Sequence, residues 1–198
     1  MEPTVPLIGL TGGMGAGKST ALKVLERLGA AVQSTDAVVH ELYEGERLRD
    51  AVVRRWGSEV APGGKVDRSE VAARAFADER ERTWLEGVIW PLVGEQIAVW
   101  LEQVRSKRPM PRAAVIEVPL LFEAGMEGLY DATIAVVASE ELRAARAAGR
   151  GHVLADERAA RQLGQEEKAR RATYVVCNNG SEKELERELS GVLDKLGR

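Results

Sequence analysis

Gly12, Gly17, Lys18 and Ser19 occupy the four fixed places of the pattern G-x-x-x-x-G-K-[ST], inside the run Leu-Ile-Gly-Leu-Thr-Gly-Gly-Met-Gly-Ala-Gly-Lys-Ser-Thr at 7–20. Glycines allow a tight turn whose amide N–H groups converge, and a helix N-terminus directly after it adds donors and a dipole that favours an anion. A lysine at that point reaches the β- and γ-phosphates of a nucleotide, and the hydroxyl beside it is an oxygen ligand for Mg²⁺. Gly12, Gly13, Met14, Gly15, Ala16, Gly17, Lys18, Ser19 and Thr20 are therefore expected to form a nucleotide-phosphate site, with Ser19 on the metal. The competing reading is a glycine-rich turn before an ordinary helix. Against it stand the apolar strand residues ahead of the motif and the helical spacing over 20–28 after it.

A phosphate loop serves a kinase, a motor or transport ATPase, or a GTPase switch equally well. The base-reading Asn-Lys-x-Asp of a GTPase is absent. Asp36 follows the second expected strand, where strand ends of an open α/β sheet line the binding crevice. A carboxylate there can orient an attacking hydroxyl and take its proton, or it can simply cap a helix over 37–43. Glu117, at the end of the third expected strand, can orient Mg²⁺ through water. The segment 140–173 carries many arginines, among them Arg143, Arg146, Arg150, Arg158 and Arg161, with Gly149 and Gly151 as a hinge. Arg146 and Arg150 are the first candidates to close over the phosphates, and the rest are expected to pair with neighbouring glutamates. Asn178-Asn179-Gly180 after the last strand reads either as a plain turn or as a contact to the nucleotide base, with Asn178 its leading residue. His40 and His152 lie in no serine–carboxylate constellation and are expected to be ordinary surface or core residues.

The elements that must position these groups alternate between apolar runs of strand length and longer helical patterns. Strands are expected at 6–10, 30–33, 113–118, 132–137 and 174–177, helices at 18–28 and after Ser181. Ser181 and Glu184 read as a capping box ahead of the apolar stripe Leu185, Leu189, Val192, Leu193 and Leu196. Apolar runs without alternation suit a parallel sheet covered on both faces, so the fold class is α/β, a five-stranded parallel sheet in a phosphate-loop core. The interval 36–112 breaks the rhythm with helical patterns alone; Pro91 must kink its longest helix or start a new one. One domain is expected over 1–198: a nucleotide-binding core from 1–35, 113–139 and 174–198, a helical acceptor-binding insertion at 36–112, and a lid at 140–173.

The bulk composition narrows the partners. At 198 residues and 44% hydrophobic the chain can bury a real core, and a net charge of −3 leaves no basic footprint for nucleic acid or an anionic membrane. The single cysteine, Cys177, excludes an internal disulfide and is expected to be a small buried hydrophobe. A soluble cytoplasmic protein without nucleic-acid, membrane or obligate protein partner is the expectation.

Over nearly its whole length the chain resembles the dephospho-CoA kinases. The resemblance rests on the loop from Gly9 to Ser19, on Pro119-Leu120-Leu121-Phe122-Glu123 after the third strand, and on Arg158, Gln162, Lys168 and Asn178-Asn179-Gly180 at matching spacing. It implies Mg²⁺-dependent transfer of the γ-phosphate of ATP to the ribose 3′-hydroxyl of dephospho-CoA, with ATP on the loop and Asn178. It also implies Asp36 as base, Lys18 and a lid arginine on the transferred phosphate, and Pro119, Leu120, Leu121 and Glu123 with Asp36 toward the acceptor. Ser34 stands where the family carries a further aspartate, Trp90 where it carries a histidine before proline, and Ala172-Thr173 where it carries Ala-Asp. Two alternatives stay open: a kinase of another small acceptor (a nucleoside monophosphate, shikimate or gluconate) and a nucleotide-dependent switch.

Overall fold

The computed structural model describes residues 4–148 and 162–197, which cluster into two compact units, Thr35–Gln103 and the remainder. The larger unit is built on five parallel strands in the order β2-β3-β1-β4-β5. β1 (Leu7–Gly12) is central, pairing with β3 (Ala114–Glu117) on one side and β4 (Ala132–Val137) on the other. β2 (Ala31–Ser34) and β5 (Tyr174–Cys177) are the edges. The chain therefore changes direction across the sheet at β1, the place where open α/β sheets bind ligands beyond their strand ends.

Side-chain alternation along β1 divides the two faces. Ile8 and Leu10 are fully buried with Val24 and Leu25 of α1 (Lys18–Arg27) and with Leu185, Leu189 and Leu193 of the C-terminal helix. Gly9 and Thr11 face the other way, toward the segment after β3. A Cβ on Gly9 would stand 2.5 Å from Leu121 Cδ1 and 3.1 Å from the Tyr130 ring, so a larger residue there would have to push both side chains aside. The first strand runs to Gly12 rather than ending at residue 10, and so delivers the chain to the loop without intervening coil.

Two helices, α6 (Glu140–Ala148) and α7 (Gln165–Arg171), flank the stretch outside the described residues. The last, α8 (Glu182–Leu196), begins with the expected capping box: Ser181 Oγ accepts from Glu184 N at 3.3 Å, and Glu184 Oε2 accepts from Ser181 N at 2.7 Å. Cys177 departs from expectation. It is exposed, because β5 is an edge strand and Cys177 is its last residue.

The smaller unit contains α2 (Thr35–Leu42), α3 (Glu46–Trp56), α4 (Arg68–Ala77) and α5 (Glu79–Ser106), whose last three residues belong to the larger unit. Val38, Leu48, Val52, Val60, Val71 and Leu85 form its core. Trp56 and Trp84 meet edge to face at 5.0 Å, and Trp56 Nε1 donates to Glu81 at 2.7 Å, which gives its half-buried ring a polar outlet. Pro91 starts no new helix: α5 is continuous through it, with Leu85, Leu92 and Val93 packed into the core on either side of the missing N–H.

Candidate active site

The phosphate loop spans Gly12 to Lys18, between β1 and α1, and its outer side is gripped carbonyl by carbonyl. Lys18 Nζ folds back to the carbonyls of Gly12 (3.0 Å) and Gly13 (3.3 Å). Arg143 Nε donates to the Met14 carbonyl at 3.0 Å, Arg146 Nη1 to Gly15 at 3.4 Å, and Asn178 Nδ2 to Ala16 at 2.9 Å. In a trans peptide the carbonyl and the next N–H point in opposite directions. Fixing the carbonyls of Met14 and Ala16 outward therefore turns the amides of Gly15 and Gly17 inward, as an anion cradle requires, while the Ala16 amide closes the loop's own turn by donating to the Gly13 carbonyl at 3.2 Å.

Each gripping side chain has a local reason to be there. Arg143 and Arg146 are three apart on α6 and share a face. The start of α6 is tied across to the β5 end, where Ser139 N donates to Asn179 Oδ1 at 2.7 Å. Asn178 continues the β4–β5 ladder through its N–H to the Val137 carbonyl at 2.8 Å, and only 7% of it is exposed. Arg146 Nη2 also donates to the Asn178 carbonyl at 3.2 Å, so arginine, asparagine and loop form one network. Gly17 closes it: its φ is +95°, and a Cβ would stand 2.0 Å from Asn178 Nδ2. Asn178 and Asn179 are thus more than a plain turn, since both side chains bind other segments.

A second cluster lies on the opposite face of β1. Lys168 of α7 is fully buried, with Nζ 2.6 Å from the Pro119 carbonyl, 2.9 Å from Glu123 Oε1 and 3.4 Å from Thr11 Oγ1. Burial pulls the Lys168 pKa below its ordinary value, opposed by the neighbouring carboxylate of Glu123. Glu123 Oε1 also accepts from Leu163 N at 2.7 Å, while its buried Oε2 has no hydrogen-bond partner among the described residues. Pro119 and Glu123 are therefore joined through Lys168, Leu121 is fully buried against β1, and Leu120 is half-buried beside it.

The remaining expected residues fall as follows. Ser19 and Thr20 lie in the first turn of α1. Glu117 is buried at the end of β3, in register with Leu10 and Ser34. The Ser19 hydroxyl and the Glu117 carboxylate are hard oxygen donors, the type that Mg²⁺ takes. Asp36 is exposed within the first turn of α2 rather than preceding it, because the helix starts at Thr35 directly after β2; the N-cap reading is overturned. Arg150, Arg158, Arg161, His152 and the Gly149–Gly151 hinge lie outside the described residues. Arg143 is among the arginines expected to pair with neighbouring glutamates, and Lys168 enters the sequence only as one of the residues that carry the family resemblance. The i, i+3 spacing of Arg143 and Arg146 was a usable signal for the first, whereas the burial of Lys168 has no signature in the charge-rich run around it.

The family model for dephospho-CoA kinase matches residues 6–184. A dephospho-CoA kinase of Deinococcus radiodurans is 37% identical, with 98% of this chain and 95% of that protein covered. One from Corynebacterium diphtheriae is also 37% identical, covering 91% and 92%. Among solved structures, a Thermus thermophilus protein superposes with a TM-score of 0.79 at 34% identity, covering 98% of this chain and 99% of that one. A dephospho-CoA kinase from Campylobacter jejuni, at 22% identity and a TM-score of 0.68, shares the fold over 96% of both chains.

Proposed function

The chain belongs to the dephospho-CoA kinase family, the ATP-dependent enzymes that complete coenzyme A by phosphorylating the 3′-hydroxyl of dephospho-CoA, and from that premise we propose how its residues divide the work. The observation that carries the reading is the loop with its carbonyls turned outward, since it supports an inward set of amides for the ATP phosphates. Lys18 swings from the Gly12 and Gly13 carbonyls to the β- and γ-phosphates, where its ammonium offsets the charge that develops on the transferred group.

Ser19 would hold Mg²⁺ directly and Glu117 through water. The chemistry such an ion would supply there is neutralisation of the charge on the transferred phosphoryl group. Asp36 takes the proton of the acceptor hydroxyl as it attacks phosphorus. An exposed carboxylate in the first turn of the helix leaving β2 suits that task better than a cap would. Arg146 reaches phosphate from the edge of the loop, and Arg150 does so from the lid at 140–173. The helical interval 36–112 receives dephospho-CoA, and Pro119, Leu120, Leu121 and Glu123 contribute to acceptor binding. Excluding water once both substrates are seated suppresses ATP hydrolysis.

A coupled assay of ADP release tests the reading. ATP with dephospho-CoA should give turnover, while ATP alone, or with shikimate, gluconate or a nucleoside monophosphate, should not. Asp36→Asn should lower kcat by about 10²- to 10⁴-fold with ATP binding nearly intact. Unchanged turnover in that variant removes Asp36 from the chemistry. Acceptor-independent ADP release in the wild type would point to a switch instead.

A further inference from the structure

Asp36 and His40 lie four residues apart on one face of α2, and Tyr43 follows three residues later in the turn just beyond its end, its N–H still donating to the Val39 carbonyl at 3.3 Å. Arg68, the first residue of α4, lies across that face. Its Nη1 is 2.6 Å from His40 Nδ1, and its guanidinium carbon is 4.8 Å from the centre of the Tyr43 ring. Arginine can only donate, so His40 Nδ1 is the acceptor of the pair. A guanidinium anchored at one nitrogen and laid over an aromatic ring is held in a fixed plane, with further N–H donors on its other edges.

Beside Arg68 opens a hollow of about 540 Å³ lined by Pro62, Lys65, Val66, Asp67, Arg68 and Ser69. Two of these side chains are cationic. The one carboxylate, Asp67, is committed to the start of α4, where it accepts from Ser69 N at 2.9 Å, from Glu70 N at 3.3 Å and from the Ser69 hydroxyl. The hollow therefore presents net positive character together with an oriented, planar donor, the combination that recognises a phosphate or diphosphate.

We infer that this hollow is the subsite for the diphosphate of the acceptor, with Arg68 its principal donor, Lys65 a second cation, and His40 and Tyr43 holding the guanidinium in place. The inference rests on the dephospho-CoA reading above. In that acceptor the hydroxyl to be phosphorylated and the diphosphate-bearing carbon belong to one ribose, only a few bonds apart. Asp36 and His40 are separated by about one helical turn, roughly 5.4 Å along the axis. A base on α2, and an anion anchor from α4 held by His40 about one turn further along α2, match an acceptor with its nucleophile and its charge on one sugar. Selection for acceptors bearing a diphosphate follows from that arrangement.

The test is steady-state kinetics of the full chain with dephospho-CoA and MgATP each varied in turn, for the wild type, Arg68→Met and Arg68→Lys, with thermal melting of all three. Wild-type turnover of dephospho-CoA is established first, and its absence would refute the underlying reading rather than the subsite. Arg68→Met should raise the KM for dephospho-CoA by about 10- to 100-fold, the loss expected for a charge-assisted hydrogen bond. The KM for ATP should stay within about twofold, and Arg68→Lys should recover part of the loss because it keeps the charge but not the fork. An unchanged dephospho-CoA KM overturns the inference, and so does an equal rise in both KM values or a fall in kcat alone. If Arg68→Met melts far below the wild type, the lysine variant decides by the same ratio of KM values.

Discussion

Replacing Lys168 by methionine keeps most of the side chain's volume but removes the ammonium that Glu123, Pro119 and Thr11 share. Glu123 would be left 13% exposed, with the Leu163 amide on Oε1 and a buried Oε2 that has no partner among the described residues. Stripping one member from a buried ion pair costs about 3–5 kcal/mol, mostly because the other charge stays behind. For a chain of this length each kcal/mol lowers Tm by about 2–4 °C, so Lys168→Met should melt roughly 6–20 °C below the wild type. Glu123→Gln in the same background removes the stranded charge and should restore much of the loss. The assay is a double-mutant cycle by urea unfolding, in which the lost bonds to Pro119 and Thr11 cancel because both lysine-free variants lack them. A coupling energy near 1–3 kcal/mol is expected, and one below about 0.5 kcal/mol refutes the reasoning. The pH dependence gives a second readout. Burial sets the Lys168 pKa below the ordinary 10.5, so between those two values the unfolded chain binds more protons than the folded one. Stability carried by this group therefore rises with pH through that window, and Lys168→Met should abolish the rise.

Three further outcomes can be checked. Gly17→Ala forces a Cβ into backbone with φ +95° and against Asn178 Nδ2, and should weaken ATP binding by about 10- to 100-fold while far-UV circular dichroism stays native; ATP titrations matching the wild type would show that the loop tolerates the change. Arg143→Met frees the Met14 carbonyl and should raise the KM for ATP by about fivefold to tenfold without moving that for dephospho-CoA, and an unmoved ATP value would leave the grip without a role. Asp67, whose carboxyl is held below its ordinary 3.8 by the Ser69 hydroxyl and then by the Glu70 and Ser69 amides, gives stability present above that value and lost as pH falls through the folded-state pKa. Asp67→Asn keeps an N-cap without a titrating group, so the acid limb of its stability profile should be flatter, and an identical limb would locate acid unfolding elsewhere.

The loop was legible because its chemistry restricts residue type at every position: glycine where a side chain would meet Asn178, lysine and serine where charge and metal must be met. β4 and β5 were legible to the residue, since Gly and polar punctuation bounds them. The capping box before α8 was equally plain, because Ser181 and Glu184 satisfy each other's backbone locally. What resisted reading depends on tertiary placement. Cys177 sits in an apolar run yet is exposed, because strand order, which local pattern does not encode, puts β5 at an edge. Lys168 belongs to a charge-rich helix yet is fully buried, since only packing of α7 over Thr11 and Pro119 brings Glu123 to it. Pro91 reads as a kink or a restart, and core contacts on both sides carry α5 through it without a restart. Arg143 is one of many arginines in its segment, and only the loop carbonyl it reaches sets it apart.

The exposed end of β5 makes the protein its own spectroscopic instrument. Cys177 is the sole thiol of the chain and directly precedes Asn178, whose side-chain amide holds the Ala16 carbonyl. A fluorophore or spin label attached there needs no engineered cysteine and no removal of others. It would sit one residue from the loop's own tether, so the occupancy of the loop could be followed from its signal in solution, turnover by turnover.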